Sequence, residues 1–547
     1  MKRRFSMAFL GCICALVLLL PTTGIAGEVK QDRNSAMLHA SDYRHYFSDF
    51  ALDEREMLGS APPLPWDWFV ANIPLLDIPD KEMERIYYFR WYSFQKHIVR
   101  GPNGYLISEF LDDVPWSGKL NMIDTAAGHH IREARWLRDS EYVDDYTRFW
   151  FGPEGEPRRY SFWAADSVYQ LFLATGDREL AISLLPALVK NYEAWESTHQ
   201  DPSGLFWQID DRDGMEDSIS GNGYRPTINS YMYGDAVAIS RIAAMAGQKQ
   251  VEEEYQSKAE RLRRLIDERL WNPKNDFYET VARGDHDGWS DDRELIGFIP
   301  WYFNLPSPKH DSAWKFLMAP DRFWGKYGPT TADRRNPRFD YKVRHECLWN
   351  GPSWPFATTQ TLVALANLLN GPKQNVITDD DYFHLLQAYA YSQHIRLPNG
   401  KVIPWIDEDL NADTGNWIAR SILIALHQLP PNRGRYYNHS GYADLIITGL
   451  IGVRPAAGNS FDLHPLVPSG EWKYFALDGL PYHGHLLTIL YDEDGTRYHR
   501  GIGLQVLCDG RPVAHADTLR EIRVELPNDN SQATGPESTS EHGSTIP

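Results

Sequence analysis

The sequence predicts a mainly α-helical protein, an (α/α)6 hairpin barrel followed by a small antiparallel β module. From about residue 80, apolar residues recur at helical spacing, and loops rich in Gly, Pro and Asp separate the helical segments. After about residue 440, short runs of β-forming residues replace this pattern. With 42% hydrophobic and 24% charged residues among 547, the chain has the composition of a folded globular protein, which excludes a fibrous or mainly disordered one.

Amphipathic segments between residues 80 and 430 predict the helices of the barrel. They cover residues 82–98, 122–137, 140–150, 161–175, 179–197, 229–247, 249–271, 309–318, 355–370, 379–394 and 416–428. A weaker helical segment lies around 294–303. Short turns such as Thr175-Gly176-Asp177 bring consecutive helices back antiparallel as hairpins. Twelve helices make six hairpins, which favours a closed toroid, and the sequence has no short repeat of the kind that builds a solenoid.

The remaining segments complete the predicted domain organisation. Expected strands are residues 445–450, 472–477, 485–491, 503–508 and 521–524. We therefore expect a signal peptide at 1–26, an N-terminal extension at 27–80, the barrel at 81–435, the β module at 436–527 and a disordered tail at 528–547.

The beginning of the chain has the features of a secretory signal peptide. A basic start precedes an apolar run over about residues 7–20, and small residues follow near position 26. We expect the remaining chain to be exported, to the periplasm or outside the cell. No later apolar stretch reaches the roughly 18 residues that a membrane span needs. Only Cys347 and Cys508 follow the signal peptide, too few for a disulfide scaffold, and their pairing is left open.

The net charge restricts the class of partner. The chain carries 55 Lys and Arg against 74 Asp and Glu, a formal charge of -19 at pH 7. An acidic surface repels a phosphate backbone, so nucleic acid is not an expected partner. A neutral or weakly charged ligand fits this charge, although the charge also serves solubility alone.

Two acidic loops are the first candidates for catalysis. Residues 210–217 contain five carboxylates between two predicted helices, and carboxylates that lie so close raise one another's pKa. A carboxyl group that stays protonated near neutral pH can act as a general acid. Residues 406–416 form a second acidic loop, between Trp405 and Trp417. A solvated turn and a helix N-terminal signal are the alternative interpretations of these loops.

Turns that carry tryptophan are the second kind of candidate, because indole faces bind the apolar faces of sugar rings. One turn is Trp349-Asn-Gly-Pro-Ser-Trp354, and others lie at residues 65–68 and 112–116. Core packing could explain any one of them. Together with the acidic loops they predict a carbohydrate pocket in which two carboxylates act on opposite sides of a glycosidic bond. The expected substrate contacts are Trp66, Asp67, Asp113, Trp116, Arg225, Trp349, Gly351, Trp354, Trp405 and Trp417.

Three motifs resemble those of the family 63 glycoside hydrolases, which include mannosylglycerate hydrolases and are similar in fold to trehalases. The turn at 349–354 resembles the family's Trp-Arg/Asn-Gly-Pro-x-Trp turn. Residues 408–415, Glu-Asp-Leu-Asn-Ala-Asp-Thr-Gly, resemble Glu-Asn-Tyr-Asn-Pro-x-Thr-Gly. Residues 214–218, Gly-Met-Glu-Asp-Ser, resemble Gly-Met-Asp-Asn-Ser. The motifs occur in the family's order, and the resemblance covers residues 80–430, the extent of the predicted six-hairpin glycosidase barrel.

This resemblance implies an inverting glycoside hydrolase without a metal or organic cofactor. Glu408 inherits the role of the general base, which activates water. Glu216 inherits that of the general acid, although the family has aspartate there and the extra methylene changes the reach of the carboxyl group. Asp217 and Asp213 are therefore alternative acids.

Two other classes of function stay open. Polysaccharide lyases share the helical toroid and abstract a proton with Tyr or His. A glycan-binding protein without catalysis is the other alternative, suggested by the Asp-to-Glu departure. No metal site is expected, because His129, His130 and Glu133 lack the His-Glu-x-x-His spacing and are better explained as structural. Glu109 and Asp166 are reserve candidates for the site, each better explained as structural.

Overall fold

The computed structural model describes residues 37–284, 288–342, 346–426 and 433–527, and these belong to one compact unit. The predicted signal peptide at 1–26 and the predicted tail at 528–547 lie outside the described residues and stay predictions. Among the described residues, no helix is both long and apolar enough to cross a membrane.

Helices form most of the described chain before residue 430. The α-helices are α1 (Ala40–Leu58), α2 (Trp66–Asn72), α3 (Lys81–His97), α4 (Ala127–Ala134), α5 (Glu141–Phe151), α6 (Ala164–Thr175), α7 (Arg178–His199), α8 (Pro226–Met245), α9 (Lys249–Arg269), α10 (Ile299–Tyr302), α11 (Pro355–Leu369), α12 (Asp379–Ser392) and α13 (Ile418–Leu426). Short 3₁₀ helices lie at Lys119–Asn121, Asp210–Asp213, Leu295–Phe298 and Pro308–Phe316.

Each helical segment expected between residues 80 and 430 overlaps an observed helix. The segment expected at 309–318 is a 3₁₀ helix, and the one around 294–303 combines a 3₁₀ helix with α10. Helices α1 and α2 were not expected from the sequence. Tyr43, Tyr46, Phe47 and Phe50 follow the i, i+3, i+4, i+7 spacing of a buried helical face, and this pattern could have revealed α1.

Neighbouring helices differ in burial in a way that matches inner and outer helices. In α11 nearly every residue is buried, and in α8 most residues are buried, on more than one side of the helix. In α9, which packs against α8, the buried residues are Tyr255, Ala259, Leu262 and Ile266, one narrow face. The turn between α6 and α7 reverses the chain at Gly176, whose φ of 75° favours glycine, and Asp177 caps α7 by accepting a bond from the backbone N–H of Leu180.

The strands form small antiparallel sheets. A five-stranded sheet has the order β1 (Leu75–Asp77), β10 (Tyr474–Tyr482), β11 (His485–Asp492), β12 (Gly503–Cys508), β13 (Arg511–Ala516). A three-stranded sheet has the order β14 (Ile522–Glu525), β9 (Ser460–Leu463), β8 (Val453–Arg454). Two-stranded ribbons pair β2 (Ile98–Gly101) with β3 (Gly104–Ile107), β4 (Trp271–Asn272) with β5 (Phe277–Tyr278), and β6 (His394–Arg396) with β7 (Val402–Pro404).

The N-terminal extension joins the β module directly. Strand β1 pairs with β10, with Leu76 opposite Leu477. The carboxylate of Asp478 accepts bonds from the backbone N–H groups of Met37 and Leu38, both at 2.9 Å. The extension is therefore part of the same folded unit as the β module.

The expectation of a strand at residues 445–450 is wrong, because Leu445–Leu450 form a π-helical turn. All six residues are buried, and a short apolar run without polar alternation does not distinguish a buried strand from a buried helix. The hydroxyl of Tyr382 donates to the carbonyl of Leu445 at 2.9 Å and fixes this turn against α12.

The chain between residues 433 and 444 returns through the helical core, where polar side chains of α3 and α4 bind its backbone. Glu133 accepts bonds from the N–H groups of Tyr442 and Ala443 at 3.0 Å. Arg90 donates to the carbonyl of Ser440 at 2.8 Å. His130 contacts the carbonyl of Asn438. His130 and Glu133 thus have a structural role in the described chain, holding the segment that borders the cavity below.

Candidate active site

Loops that precede α4, α6, α8, α11 and α13 surround a cavity of about 220 Å³, which we call the acidic cavity. Glu216 and Glu408, far apart in the sequence, both line it. The lining residues are Glu109, Phe110, Trp116, Ile123, Thr125, Tyr160, Gly214, Glu216, Glu346, Cys347, Trp354, Glu408, Arg433 and Tyr437.

Arg225, the residue just before α8, stabilises the loop that carries Glu216. Its Nε donates to Asp213 at 2.6 Å, and both side chains are fully buried. Its Nη1 donates to Ser218 Oγ at 3.0 Å. Neither Arg225 nor Asp213 lines the acidic cavity. This position does not suit the predicted role of Arg225 as a substrate contact or that of Asp213 as an alternative general acid. Both hold the loop in shape instead.

Glu216 is half-buried, and its Oε2 accepts a hydrogen bond from the thiol of Cys347 at 2.6 Å. Burial and the nearby charge of Glu216 raise the pKa of Cys347 well above its ordinary value, so the thiol keeps its proton and donates. The next residue, Asp217, is exposed and lines a different surface depression. This position does not suit its predicted role as an alternative general acid. Its φ of 60° turns the backbone sharply after Glu216.

Glu408 is 4% exposed and is held by an arginine from the returning segment. Its Oε1 accepts bonds from Arg433, including one from Nε at 3.0 Å. Burial raises the pKa of Glu408 to about 7, the charge of Arg433 opposes this shift, and the charge of Asp407 adds to it. Arg433 also donates to Glu346 at 3.3 Å and lies 5.0 Å from the ring centre of Trp116. The arginine therefore joins two carboxylates and one aromatic wall.

Glu109, a reserve candidate that the sequence explains better as structural, is a third carboxyl group in the acidic cavity. Its Oε1 accepts a hydrogen bond from the hydroxyl of Tyr437. Burial raises the pKa of Glu109 to about 8 against the effect of this bond, and the charges of Glu408 and Glu216 add to the rise. Its Oε2 is buried and has no hydrogen-bond partner among the described residues. Glu109 is thus largely protonated at neutral pH and faces the same space as Glu216.

Two of the predicted tryptophans line the acidic cavity, and a third supports one of them. Trp354 stacks on Trp349, with ring centres 4.7 Å apart and planes at 15°. Trp349 is 3% exposed and lies behind Trp354. Gly351 is not a lining residue; a Cβ there would lie 2.5 Å from the carbonyl of Asp340, so glycine permits the close packing of this turn.

The other predicted contacts lie away from the acidic cavity. Trp66, in α2, packs edge-on against Phe47, and Asp67 beside it is exposed. Asp113 lines a separate surface depression. Trp405 is fully buried, and its indole N–H donates to Asp407. The indole N–H of Trp417 donates to the carbonyl of His394. These tryptophans shape the fold around the loops and do not fit direct contact with a ligand in this cavity.

Several lining residues were not predicted from the sequence: Tyr160, Glu346, Cys347, Arg433 and Tyr437. Residues 433–437, Arg-Gly-Arg-Tyr-Tyr, combine basic and aromatic side chains just after the last predicted helix, and this was an available signal. Glu346 and Cys347 directly precede the tryptophan turn, but nothing in their local pattern indicated a site.

Two known family models match parts of this chain. The model of the mannosylglycerate hydrolase MGH1-like glycoside hydrolase domain matches residues 119–440, more than half of the chain. The chain belongs to this family. The MGH1-like domain contains both glutamates and most of the cavity-lining residues, and it confirms the resemblance indicated by the three motifs. Residues 454–515, in the β module, match the C-terminal domain of glycosyl hydrolase family 65.

Solved structures and curated proteins give further relatives of this MGH1-like chain. A chain named sialidase is 41% identical, with a TM-score of 0.84, and the match covers 91% of this chain and 46% of that one. The GH63 mannosylglycerate hydrolase from Thermus thermophilus in complex with Tris is 14% identical, with a TM-score of 0.48 and coverage of 66% and 100%.

An uncharacterized protein from Borreliella burgdorferi is 24% identical over 162 residues, 29% of this chain and 34% of that protein. The chain thus spans about half the length of the sialidase and about a third of this relative.

Proposed function

We propose that this protein is an exported glycoside hydrolase that cleaves a glycosidic bond with inversion. The observation that carries the proposal is that Glu216 and Glu408 line one cavity together with Trp116 and Trp354. Membership in the MGH1-like family supports hydrolysis. The contrast between α8 and α11, which are buried on several sides, and α9, which is buried on one face, supports an (α/α)6 barrel as the scaffold.

Glu216 acts as the general acid and protonates the leaving oxygen of the glycosidic bond. When the proton has been transferred, the thiol of Cys347 stabilises the new carboxylate, because a hydrogen bond to the charged form favours that form. The backbone carbonyl of Glu216 accepts a bond from the N–H of Trp349 at 3.1 Å, which connects the acid to the aromatic wall.

Glu408 acts as the general base and deprotonates a water molecule that attacks the anomeric carbon from the opposite face. A pKa of about 7 leaves a substantial fraction of this carboxyl group ionised at neutral pH, and such a pKa suits a base that works there. Inverting pairs stand roughly 6.5–9.5 Å apart to hold the water, against about 5–5.5 Å in retaining pairs. Proton NMR of the first product would identify the anomer and so test inversion.

The charges around the acidic cavity favour a neutral sugar. Among the described residues, four glutamates and one arginine line it, and this arginine, Arg433, is bound to Glu408 and Glu346. An acidic sugar would therefore compete with Glu408 and Glu346 for Arg433, so we propose a neutral terminal residue rather than the sialic acid that the relative's name suggests. The volume of about 220 Å³ is below the roughly 300–1,000 Å³ of pockets for drug-sized ligands, which favours one sugar ring and removal of terminal residues.

A screen of neutral and acidic glycosides and of polysaccharides tests the proposal. Glu216→Gln and Glu408→Gln keep the side-chain shape but remove the proton transfer, so hydrolysis should fall at least about 10²-fold in each. Asp217→Asn, the same chemical change at the exposed neighbour, should keep the wild-type rate. Full activity in Glu216→Gln, or its loss in Asp217→Asn instead, would reject the assignment of the acid.

The same screen separates hydrolysis from the two alternative functions. A lyase would release an unsaturated product that absorbs in the ultraviolet, whereas a hydrolase would not. Burial and the charge of Glu109 raise the pKa of Tyr437 far above its ordinary value, which makes it a poor base for a lyase. A glycan-binding protein would bind sugars without turnover on any substrate in the panel.

Export is proposed from the sequence of residues 1–26 alone. N-terminal sequencing of the protein recovered from the periplasm and the medium tests it, and a mature protein that begins close to position 27 is expected. A cytoplasmic protein that still begins at Met1 would contradict it.

A further inference from the structure

A second cavity, of about 290 Å³, shares no lining residue with the acidic cavity. It lies among α4, α6, α8, α10, the end of α11 and the chain that follows the π-helical turn. Four arginines line it, Arg132, Arg135, Arg241 and Arg454. Neither the family match nor the proposed hydrolysis gives this arginine cavity a role.

Two of the four arginines are bound to a buried carboxylate. Asp444 accepts bonds from Arg135 Nη2 at 2.6 Å and from Arg132 Nε at 3.4 Å. Burial alone would raise the pKa of Asp444, but these arginines hold it below its ordinary value. Asp444 is therefore ionised, and its one negative charge is shared between two positive ones.

The other two arginines form no ion pair among the described residues. Arg454 donates to neutral acceptors, the side-chain oxygen of Asn367 and the carbonyl of Thr448. Burial lowers the pKa of Arg454 to about 10, and the charge of Arg132 adds to this shift. Arg241 is exposed and lies 5.3 Å from the ring centre of Tyr169. Positive charge at this cavity thus exceeds what Asp444 compensates.

One more carboxyl group, Asp166, faces the arginines. Its Oδ1 accepts a bond from Gln170 at 3.3 Å, and its Oδ2 is buried without a hydrogen-bond partner among the described residues. Even with Asp166 ionised, four arginines face two carboxylates, in a chain whose formal charge is -19. Partly buried charge without a counter-charge is costly, so an anion that enters the cavity would stabilise it.

We infer that the arginine cavity is a binding site for a small organic oxyanion, a phosphate or carboxylate group carried on a ring or a short apolar body. Guanidinium groups bind such oxygens in a planar, bidentate way. The lining also includes Tyr233, Val237 and Phe303, which suit the apolar or ring part of such a molecule. The site is independent of the proposed hydrolysis.

Isothermal titration of the full chain with inorganic phosphate, glucose 6-phosphate and glucuronate tests this site, with glucose as the uncharged control. Saturable binding of at least one anion, absent for glucose and weaker at high salt, is expected. Arg454→Gln should weaken it at least about 10-fold, the scale of one charge-assisted hydrogen bond. Arg241→Gln should weaken it several-fold, and Arg264→Gln, the same change at an exposed position of α9, should leave it unchanged.

The result also distinguishes the two kinds of oxyanion. Tighter binding of glucose 6-phosphate assigns a phosphate site, and tighter binding of glucuronate assigns a carboxylate site. If Arg454→Gln unfolds, Arg241→Gln decides the question, because its side chain is exposed and removing it spares the core. Absence of saturable binding by all three anions, or an equal loss in Arg264→Gln, would overturn the inference.

Discussion

Among single residues, two carboxyl groups of the acidic cavity, Glu408 and Glu109, are distinctive because burial raises their pKa values toward the neutral range. Burial raises the pKa of Glu408 to about 7 and that of Glu109 to about 8. Each negative charge raises the pKa of its neighbours, while Arg433 lowers that of Glu408. Protonated and ionised carboxyl groups therefore coexist in one cavity, and an acid and a base can work there together.

The pH profile should depend on Arg433. A general base is active when ionised, so kcat/KM should rise with pH through about 7 as Glu408 loses its proton. Arg433→Gln removes the positive charge that lowers the pKa of Glu408, so this acidic limb should move to higher pH. The pH profile of Arg264→Gln should match that of the wild type. If the acidic limb of the Arg433→Gln profile stays in place or moves to lower pH, that result would contradict Glu408 as the general base.

Cys347 should act as a positioning residue for Glu216. Its thiol donates to Glu216 and favours the carboxylate, so Cys347→Ala should raise the pKa of Glu216 and move the basic limb of the kcat/KM profile to higher pH. Cys347→Ser keeps a donor and should restore most of the wild-type profile. Cys508→Ala, at a cysteine in β12 that does not line the acidic cavity, should change nothing in the profile. Equal profiles for Cys347→Ala and wild type would argue against this role.

Among the structural elements, helix ends and loops place the catalytic groups. Pro226 and Pro355 occupy the first positions of α8 and α11, where their missing N–H costs nothing. The loops before these helices then carry Glu216 and the tryptophan turn. Gly214, with a φ of 68°, ends the short 3₁₀ helix before Glu216, and a Cβ there would lie 3.0 Å from the hydroxyl of Thr125. The cavity loops are thus extensions of rigid helices.

The ion pair of Arg225 and Asp213 should stabilise the acid loop strongly. Arg225→Met leaves a fully buried carboxylate without its partner, which typically costs about 3–5 kcal/mol of unfolding free energy. Urea unfolding measures this loss, and Arg212→Met, at an exposed position of the same loop, is the control. A loss of less than about 1 kcal/mol of unfolding free energy would mean that the ion pair contributes little to the stability of the protein.

Across the molecule as a whole, the N-terminal extension and the β module form one sheet. Strand β1, from the extension, lies at the edge of the sheet beside β10. Asp77, at the end of β1, binds Arg497 at 2.8 Å and Tyr498 at 2.9 Å. The helical part also contacts the β module through Arg138, whose Nε donates to the carbonyl of Gly479 at 2.9 Å. These connections predict cooperative unfolding.

Leu76→Ala should destabilise the helical and β parts together. Leu76 is fully buried in β1, and truncation of a buried leucine costs about 2–5 kcal/mol. Circular dichroism in the far ultraviolet and tryptophan fluorescence should show one shared transition, displaced to lower denaturant by the same amount. Leu52→Ala, at a side chain that is 56% exposed, is the control. Two separate transitions in wild type would contradict a single cooperative unit.

Much of the fold followed from local patterns. The 3.6-residue period of apolar residues located the helices from 82–98 to 416–428, because each helix buries a continuous face. The β-forming residue types gave a wrong prediction at 445–450, where burial on all sides removes the difference between a helix and a strand. Strand β1 was not predicted either, because its three residues become a strand only where β10 lies beside them.

Residue types at short spacing were enough to predict the helices, the three family motifs and the two glutamates. Folding then selected which side chains share a cavity: Glu109, Cys347 and Arg433 entered it, whereas Trp405, Trp417 and Arg225 did not. Folding also set which charges are compensated, as in the arginine cavity. Burial and pairing depend on distances between segments remote in the chain, and local spacing does not encode those distances.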